Sequence, residues 1–287
     1  MRVAVTGIDG FLGSYVKTLL HEQGINIIPV SRRTGHDIRQ IESLGGIPPF
    51  DVLVHLAAVS YVPDSYTKPH FFYDTNVNGT LNMLEQVRRC RARMVYVSSY
   101  VYGQPLYQPI DERHPVQPFN PYAQSKVLAE ELCRAYHRDF DVPCTILRPF
   151  NIYGLGQAEH FLLPKLVSHH IKNEEVTVFD VRPKRDYVHA RDVAKAILLA
   201  TTDEGTGCEI FNLGGGISYS IPEIAQLLQA LTGKALRLKT VDQRRPAEIL
   251  DTICNNAKAK EKLCWQPSVT FEQGLEEMLA TKGKVSI

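Results

Sequence analysis

Residues 120–132, NPYAQSKVLAEEL, hold a tyrosine, Tyr122, four positions before a lysine, Lys126. On a helix these two side chains share a face. Such a pair is either the polar side of a solvated helix or a device for moving a proton, and the rest of the chain decides between them. A second candidate lies near the N-terminus: Gly7-Ile8-Asp9-Gly10-Phe11-Leu12-Gly13. Glycines permit a tight turn and let backbone amides approach a pyrophosphate, and a following helix N-terminus adds partial positive charge. The string alone is weak. Its place between a strand and a helix is what points to a bound dinucleotide.

The end of the second strand indicates which dinucleotide. An NAD site commonly offers Asp or Glu about 20 residues past the loop, for the ribose 2′-hydroxyl. This chain offers Val30-Ser31-Arg32-Arg33. A hydroxyl and two guanidiniums suit a 2′-phosphate, and no carboxylate stands there to repel it. A basic surface turn is the plainer alternative. NADP(H) is the expected cofactor, with NAD(H) the other option, and Asp37-Ile38 further on is expected at the adenine edge.

The elements that must position these groups alternate. Arg2–Thr6, 25–30, Val52–His55, Arg93–Val97 and 143–147 read as strands. Residues 11–23, a segment around 77–91, and 121–138 read as helices, the last with Asn120 as cap and Pro121 in its first turn. Strand–helix alternation of this kind predicts an α/β protein with a doubly wound parallel sheet. After Arg148 the rhythm breaks and proline and glycine become more frequent. The expected division is a dinucleotide-binding domain of residues 1–149 plus about 186–214, and a smaller α+β substrate lobe of 150–185 and 215–287. A helix-and-strand return, 191–200 then 210–213, is expected to rejoin the main sheet, and Trp265 to pack in the C-terminal lobe.

The bulk composition excludes several classes. The 287 residues are 44% hydrophobic and 22% charged, an ordinary soluble balance. A net charge of +1 gives no global basic field for nucleic acid or an anionic membrane. Six cysteines are scattered without a CxxC, which reads as free thiols in a reducing compartment. MRVAVTG enters a strand at once and no apolar run approaches a membrane span, so a cytoplasmic location is expected. His169-His170 are adjacent and point about 100° apart on a helix, with no third ligand in view, so no metal is expected. His36, His55 and His114 have no partner legible in the sequence.

Read together, these residues resemble the extended short-chain dehydrogenase/reductase family, the branch holding nucleotide-sugar epimerases, dehydratases and reductases. The resemblance covers nearly the whole chain. His55-Leu56-Ala57-Ala58 is similar to the family's motif beside the cofactor, and Asn76-Val77-Asn78-Gly79-Thr80 opens the next helix in its manner. Ser98-Ser99-Tyr100-Val101-Tyr102-Gly103 resembles the catalytic serine segment. Residues 148–154 (RPFNIYG), 185–189 (RDYVH) and 245–248 (RPAE) are similar to its later signatures. The resemblance implies a Rossmann-type fold and a Ser-Tyr-Lys mechanism. In it Lys126 and an oxidised nicotinamide lower the Tyr122 pKa from the ordinary value of about 10 toward working pH. It implies Ser98 as the hydroxyl that orients the substrate oxygen, because the family's catalytic Ser/Thr lies three places before the valine of V-Y-G, here Val101. The implied cofactor contacts are Gly7, Gly10, Phe11, Leu12, Gly13, Ser31, Arg32, Arg33, Asp37, Ile38, Leu56, Ala57, Ala58, Asn76, Tyr122 and Lys126. The implied substrate is a nucleoside diphosphate sugar, touched by Ser98, Asn151, Arg185, Arg245 and Glu248.

Dehydratases of this family carry Asp-Glu directly after the catalytic Ser/Thr; here those places hold Ser99 and Tyr100, which argues against 4,6-dehydration. The expectation is therefore NADPH-dependent reduction of a nucleotide-linked 4-keto-6-deoxy sugar. A nucleotide-sugar 4-epimerase comes second, and a non-catalytic NADP sensor third. Family relatives commonly pair as homodimers through the Tyr-x-x-x-Lys helix and the helix before it. Leu128, Leu132, Ala135 and Tyr136 are candidates for that face, or for packing on the sheet.

Overall fold

The computed structural model describes residues 1–203, 205–241 and 248–282. Through the first half, strands β1 (Arg2–Thr6), β2 (Asn26–Val30), β3 (Val52–His55), β4 (Arg93–Val97) and β5 (Cys144–Pro149) alternate with helices. Those helices are α1 (Phe11–Glu22), the short α2 (Val62–Thr67) and α3 (Pro69–Tyr73), then α4 (Gly79–Cys90) and α5 (Pro121–Phe140). The second half runs β6 (Asn151–Tyr153), α6 (Leu162–Lys172), β7 (Val176–Val178), β8 (Lys184–His189), α7 (Ala190–Thr202) and β9 (Cys208–Leu213). It closes with β10 (Ser218–Ser220), α8 (Ile221–Thr232), β11 (Leu238–Thr240), α9 (Ala257–Lys262) and α10 (Phe271–Lys282).

The main sheet has the order β2-β1-β3-β4-β5-β9, every pair parallel. This is the doubly wound Rossmann-type sheet. Its strands keep the two-residue alternation of a sheet covered on both faces. Val3, Val5, Val95 and Val97 join Val16 and Leu20 of α1 and Val193 and Ile197 of α7 on one face. Ala4, Met94, Tyr96 and Ile146 join Met83 and Leu84 of α4 and Ala129 and Cys133 of α5 on the other. The strand order reverses between β1 and β3, so the crevice at their carboxyl ends is the ligand position of such a sheet.

The return through α7 and β9 rejoins this sheet, with β9 pairing along β5. The remaining strands form a three-stranded sheet, β10-β8-β6, and a two-stranded one, β11-β7. A third apolar cluster, with Leu166, Val176, Ile224, Leu228 and Leu275, joins them to α6, α8 and α10.

One packing expectation needs correction. Trp265 is fully buried, but in the cluster of Val3, Val54 and Val193 on the main sheet, where its indole donates to Asp192 O at 2.8 Å. The chain after α9 folds back onto that layer. On α5, Leu132 packs against the sheet-side core, and the Tyr136 hydroxyl donates to Glu85 Oε1 of α4 at 2.6 Å, whereas Leu128 is exposed. Leu132 and Tyr136 therefore pack within the chain. No helix among the described residues is long and apolar enough to cross a membrane.

Candidate active site

The glycine turn is dictated by space. Gly7 has φ +67°, and a Cβ there would stand 2.7 Å from Ala57 N. A Cβ on Gly13 would meet Gly7 O and stand 2.6 Å from the Ile8 carbonyl carbon. Both obstacles are backbone, so neither can yield cheaply. Gly10 N donates to Gly7 O at 3.0 Å, and no side chain caps α1. The first amides of α1 are thus left for an external anion. A cradle that a Cβ would fill, backed by an uncapped helix N-terminus, fits a dinucleotide pyrophosphate.

The segment after β3 is fixed by Thr6. Its Oγ1 accepts from Leu56 N and Ala57 N, both at 3.1 Å, and lies 2.7 Å from His55 Nδ1. Thr80 donates to Asn76 O at 2.6 Å, so its oxygen accepts from His55 Nε2 at 3.1 Å. His55 therefore carries its proton on Nε2 and accepts from Thr6 on Nδ1. Burial, with the charge of Lys126 second, pushes its pKa down to about 3. It stays neutral.

Asn76 was expected to contact the cofactor. Its Oδ1 accepts from Val59 N at 2.9 Å, and its amide donates to Val59 O at 3.0 Å and to Ser125 Oγ at 2.9 Å. Its polar atoms therefore hold the loop after β3 to α5. At the end of β2 the Ser31 hydroxyl is buried without a hydrogen-bond partner, Arg32 is exposed, and Arg33 Nη1 lies 3.8 Å from Asp9 Oδ1 in the glycine turn. Asp37 is held by Arg39, whose hydrogen bonds keep its carboxyl below the usual range. Ile38 is buried, and Gly79 leaves it room: a Cβ there would stand 2.6 Å from Ile38 Cδ1.

Helix α5 presents the Tyr–Lys pair. Asn120 Oδ1 accepts from Ala123 N at 2.7 Å, a side-chain cap that sets where the helix begins. Lys126 is buried, and its Nζ donates to Val97 O at 2.7 Å. Burial pulls its pKa down to about 7, with Glu130 and Cys133 opposing. Tyr122 packs edge-on to Phe72, ring centroids 6.4 Å apart. Burial raises the Tyr122 pKa, and a hydrogen bond from Ser99 opposes that rise. The expected lowering rests on Lys126 together with an oxidised nicotinamide; the protein's own groups shift the phenol the other way. A lysine whose own pKa is near neutrality carries only part of a charge with which to stabilise phenolate.

The two serines of the next segment stand differently. Ser98 is buried and donates to Glu130 Oε1 at 2.6 Å. It continues the Met94–Tyr96 side of β4, which faces α5. The hydroxyl that meets Tyr122 is that of Ser99. Tyr100 and Val101 follow Ser99, so no carboxylate succeeds it. Glu130 also accepts from Arg148 Nε at 2.9 Å and Nη2 at 2.5 Å. Arg148 donates in turn to the Tyr102 hydroxyl at 2.9 Å, and Tyr102 to Asn212 Oδ1 at 2.6 Å. Glu130 and Arg148 were not singled out from the sequence. The four-residue step from Lys126 to Glu130 was the signal that could have found the carboxylate. Ser99→Ala is expected to lower kcat about 100-fold with little change in melting temperature, as for loss of one oriented hydrogen bond. Ser98→Ala is expected to cost about 1 kcal/mol of stability. Parallel kinetics and thermal melts separate the two; equal kcat losses would return the role to Ser98.

On the neighbouring edge, Asn151 donates to Asp186 O at 2.9 Å. Arg185 donates to Ile249 O at 2.7 Å and to Glu248 Oε1 at 2.5 Å. The structure thus brings Arg185 and Glu248 together as an ion pair, while Arg245 lies outside the described residues. Gln104, just past the serine segment, donates to Glu248 O at 3.0 Å, which ties this pair to that segment. His114 and His36 also find partners, Leu106 N at 2.9 Å and Thr34 Oγ1 at 3.0 Å. His170 Nε2 lies 2.8 Å from Thr232 Oγ1, and no metal-binding cluster occurs among the described residues.

A doubly wound parallel sheet with a glycine-lined turn at its switch point defines a Rossmann-type fold. The profile of the NAD dependent epimerase/dehydratase family matches residues 3–214, and the chain belongs to that family. UDP-glucose 4-epimerases recur among its relatives. That of Corynebacterium glutamicum is 31% identical, over 94% of this chain and 92% of its own. The GDP-6-deoxy-D-mannose reductase of Pseudomonas aeruginosa is 30% identical, over 97% and 96%. Among solved structures, MoeE5 in complex with UDP-glucose and NAD superposes with a TM-score of 0.90 at 27% identity, covering 100% of both chains. A Pseudomonas aeruginosa structure of equal TM-score, 0.90, 27% identical and covering 99% of both chains, holds NADPH.

Proposed function

We propose that this chain uses NADPH to reduce a nucleotide-linked 4-keto-6-deoxy sugar. What carries the cofactor choice is the stretch that ends β2, Ser31-Arg32-Arg33, which holds a hydroxyl and two guanidiniums and no carboxylate of its own, although Asp9 of the glycine turn stands 3.8 Å from Arg33 Nη1. That set suits a 2′-phosphate, for which Arg33 would exchange its contact with Asp9. The dinucleotide, when bound, supplies the hydride. The chain supplies the rest. Tyr122, neutral because burial raises its pKa, gives its proton to the oxygen at C4. Ser99 orients that oxygen by hydrogen bonding, and Lys126, one turn along α5, returns positive charge to the site as the phenol ionises. Arg185 is one cation for a diphosphate, which must compete with Glu248 for it.

The second reading is a nucleotide-sugar 4-epimerase that keeps its cofactor and uses the same Tyr122 in both directions. The recurrence of UDP-glucose 4-epimerases among the relatives favours it. Denaturing the freshly purified protein and weighing any released dinucleotide, then titrating the emptied protein with NADPH and NADH, separates the two. Little retained cofactor and an NADPH preference support the reductase. Stoichiometric NAD⁺ retained by the protein overturns it and puts the epimerase first.

A further inference from the structure

Lys126 has an unusual seat. Its ammonium lies 4.4 Å from the centroid of the Tyr96 ring, in addition to its bond to Val97 O at 2.7 Å. Tyr96 is fully buried on β4, and His55 stacks against it with ring centroids 5.9 Å apart and planes 26° from parallel. An ammonium held away from water needs compensation for its lost hydration. The groups that face it can be followed element by element. From α5 come Glu130 and Cys133, with Tyr122 one turn back along the helix; from β4 come Tyr96 and the Val97 carbonyl; from β3 comes His55. Glu130 is already shared among Ser98 and both Arg148 nitrogens, so much of its charge is answered elsewhere. Tyr122 is neutral before reaction, and His55 is locked neutral by Thr6 and Thr80. The face of an aromatic ring carries the negative lobe of its quadrupole and attracts a cation.

We propose that Tyr96 is a positioning residue, whose ring face seats the Lys126 ammonium and favours its charged form one turn from Tyr122. His55 serves the same end by remaining uncharged beside the ring. A second cation there would repel the first. The proposal rests on reading Tyr122 and Lys126 as the proton-transfer pair, but its test reads the lysine itself.

The test is the titration of the Lys126 ammonium by NMR, in protein carrying ¹⁵N-labelled lysine, with the signal assigned by its loss in Lys126→Met. In the native chain the midpoint is expected near 7. Below the midpoint the lysine is charged; above it, neutral. Tyr96→Phe keeps the ring and should keep the midpoint. Tyr96→Leu removes the ring face, and the midpoint should fall by about one pH unit, the size of a desolvated cation–π contact. Fluorinated phenylalanines at position 96 keep shape and volume while withdrawing the ring's charge, so they answer the question if Tyr96→Leu fails to fold. Their midpoints should fall stepwise with fluorine number, and a flat series overturns the proposal. A stepwise series without turnover of any nucleotide sugar would leave the seat standing and remove the functional reading. Turnover with a flat series would do the reverse.

Discussion

Tyr122→Phe should lower turnover about 1,000-fold while leaving dinucleotide binding unchanged. Phe72 meets the ring edge-on, and phenylalanine preserves that contact, so the change removes only the oxygen. That oxygen is the proton donor, and removing a positioned acid typically costs about 100- to 10,000-fold. Cofactor affinity should hold because the pyrophosphate cradle is built from Gly7, Gly10 and Gly13 on another element. Steady-state kinetics with fluorescence titration of NADPH measure both. Unchanged behaviour in every assay would favour the non-catalytic sensor. Loss of cofactor binding along with turnover would mean that the phenol holds the nucleotide rather than moving a proton.

Glu130→Gln should destabilise the fold by about 3–5 kcal/mol, the range for stripping one partner from a buried ion pair. Glu130 and Arg148 are both buried almost completely, with 2.5 Å between Arg148 Nη2 and Glu130 Oε2. Burial works against the Arg148 charge, yet the hydrogen bonds and charge of Glu130 outweigh it and hold its pKa above the ordinary value. Without the carboxylate that charge keeps the Tyr102 hydroxyl and a neutral amide as partners. The melting temperature should fall by roughly 10 °C. Replacing both partners together, Glu130→Leu with Arg148→Met, should recover much of the loss, because the desolvation cost goes with the charges. A double variant as unstable as Glu130→Gln would show that the pair's geometry, and not its unpaired charge, sets the cost. Activity should drop in either variant, since Ser98 and Tyr102 bracket Ser99 and both lean on this pair.

What was legible in the sequence was whatever local chemistry decides. Val52–His55 is a strand as expected, because a short apolar run follows the turn residues Pro48, Pro49 and Asp51. Asn120 caps α5 as expected, because its side chain and the following proline act only on their own neighbourhood. The positive φ of Gly7 follows from the same local logic. Ser98 and Ser99 were another matter. Counting back from Val101 assumes a fixed path between serine and valine, and a slip of one residue at a strand exit turns a side chain to the opposite side. Burial against Glu130 selects one hydroxyl and leaves the other for Tyr122. Trp265 was misplaced for a related reason: its partner is the Asp192 carbonyl, 73 residues away, and no local pattern announces it. The sign of the Tyr122 shift also depends on burial, which only the assembled fold supplies.

Asn212 gives the order of synthesis a meaning. It accepts the Tyr102 hydroxyl from 110 residues further along the chain, and it sits on β9, the last strand of the main sheet. A ribosome adding about 5–20 residues per second delivers it roughly 5–20 s after Tyr102. The glycine turn, β1 to β5 and the Tyr–Lys helix all emerge before it. A nascent chain can therefore own its nucleotide cradle well before the serine segment has its final anchor. Phosphate binding and proton transfer are born at different times in the same molecule.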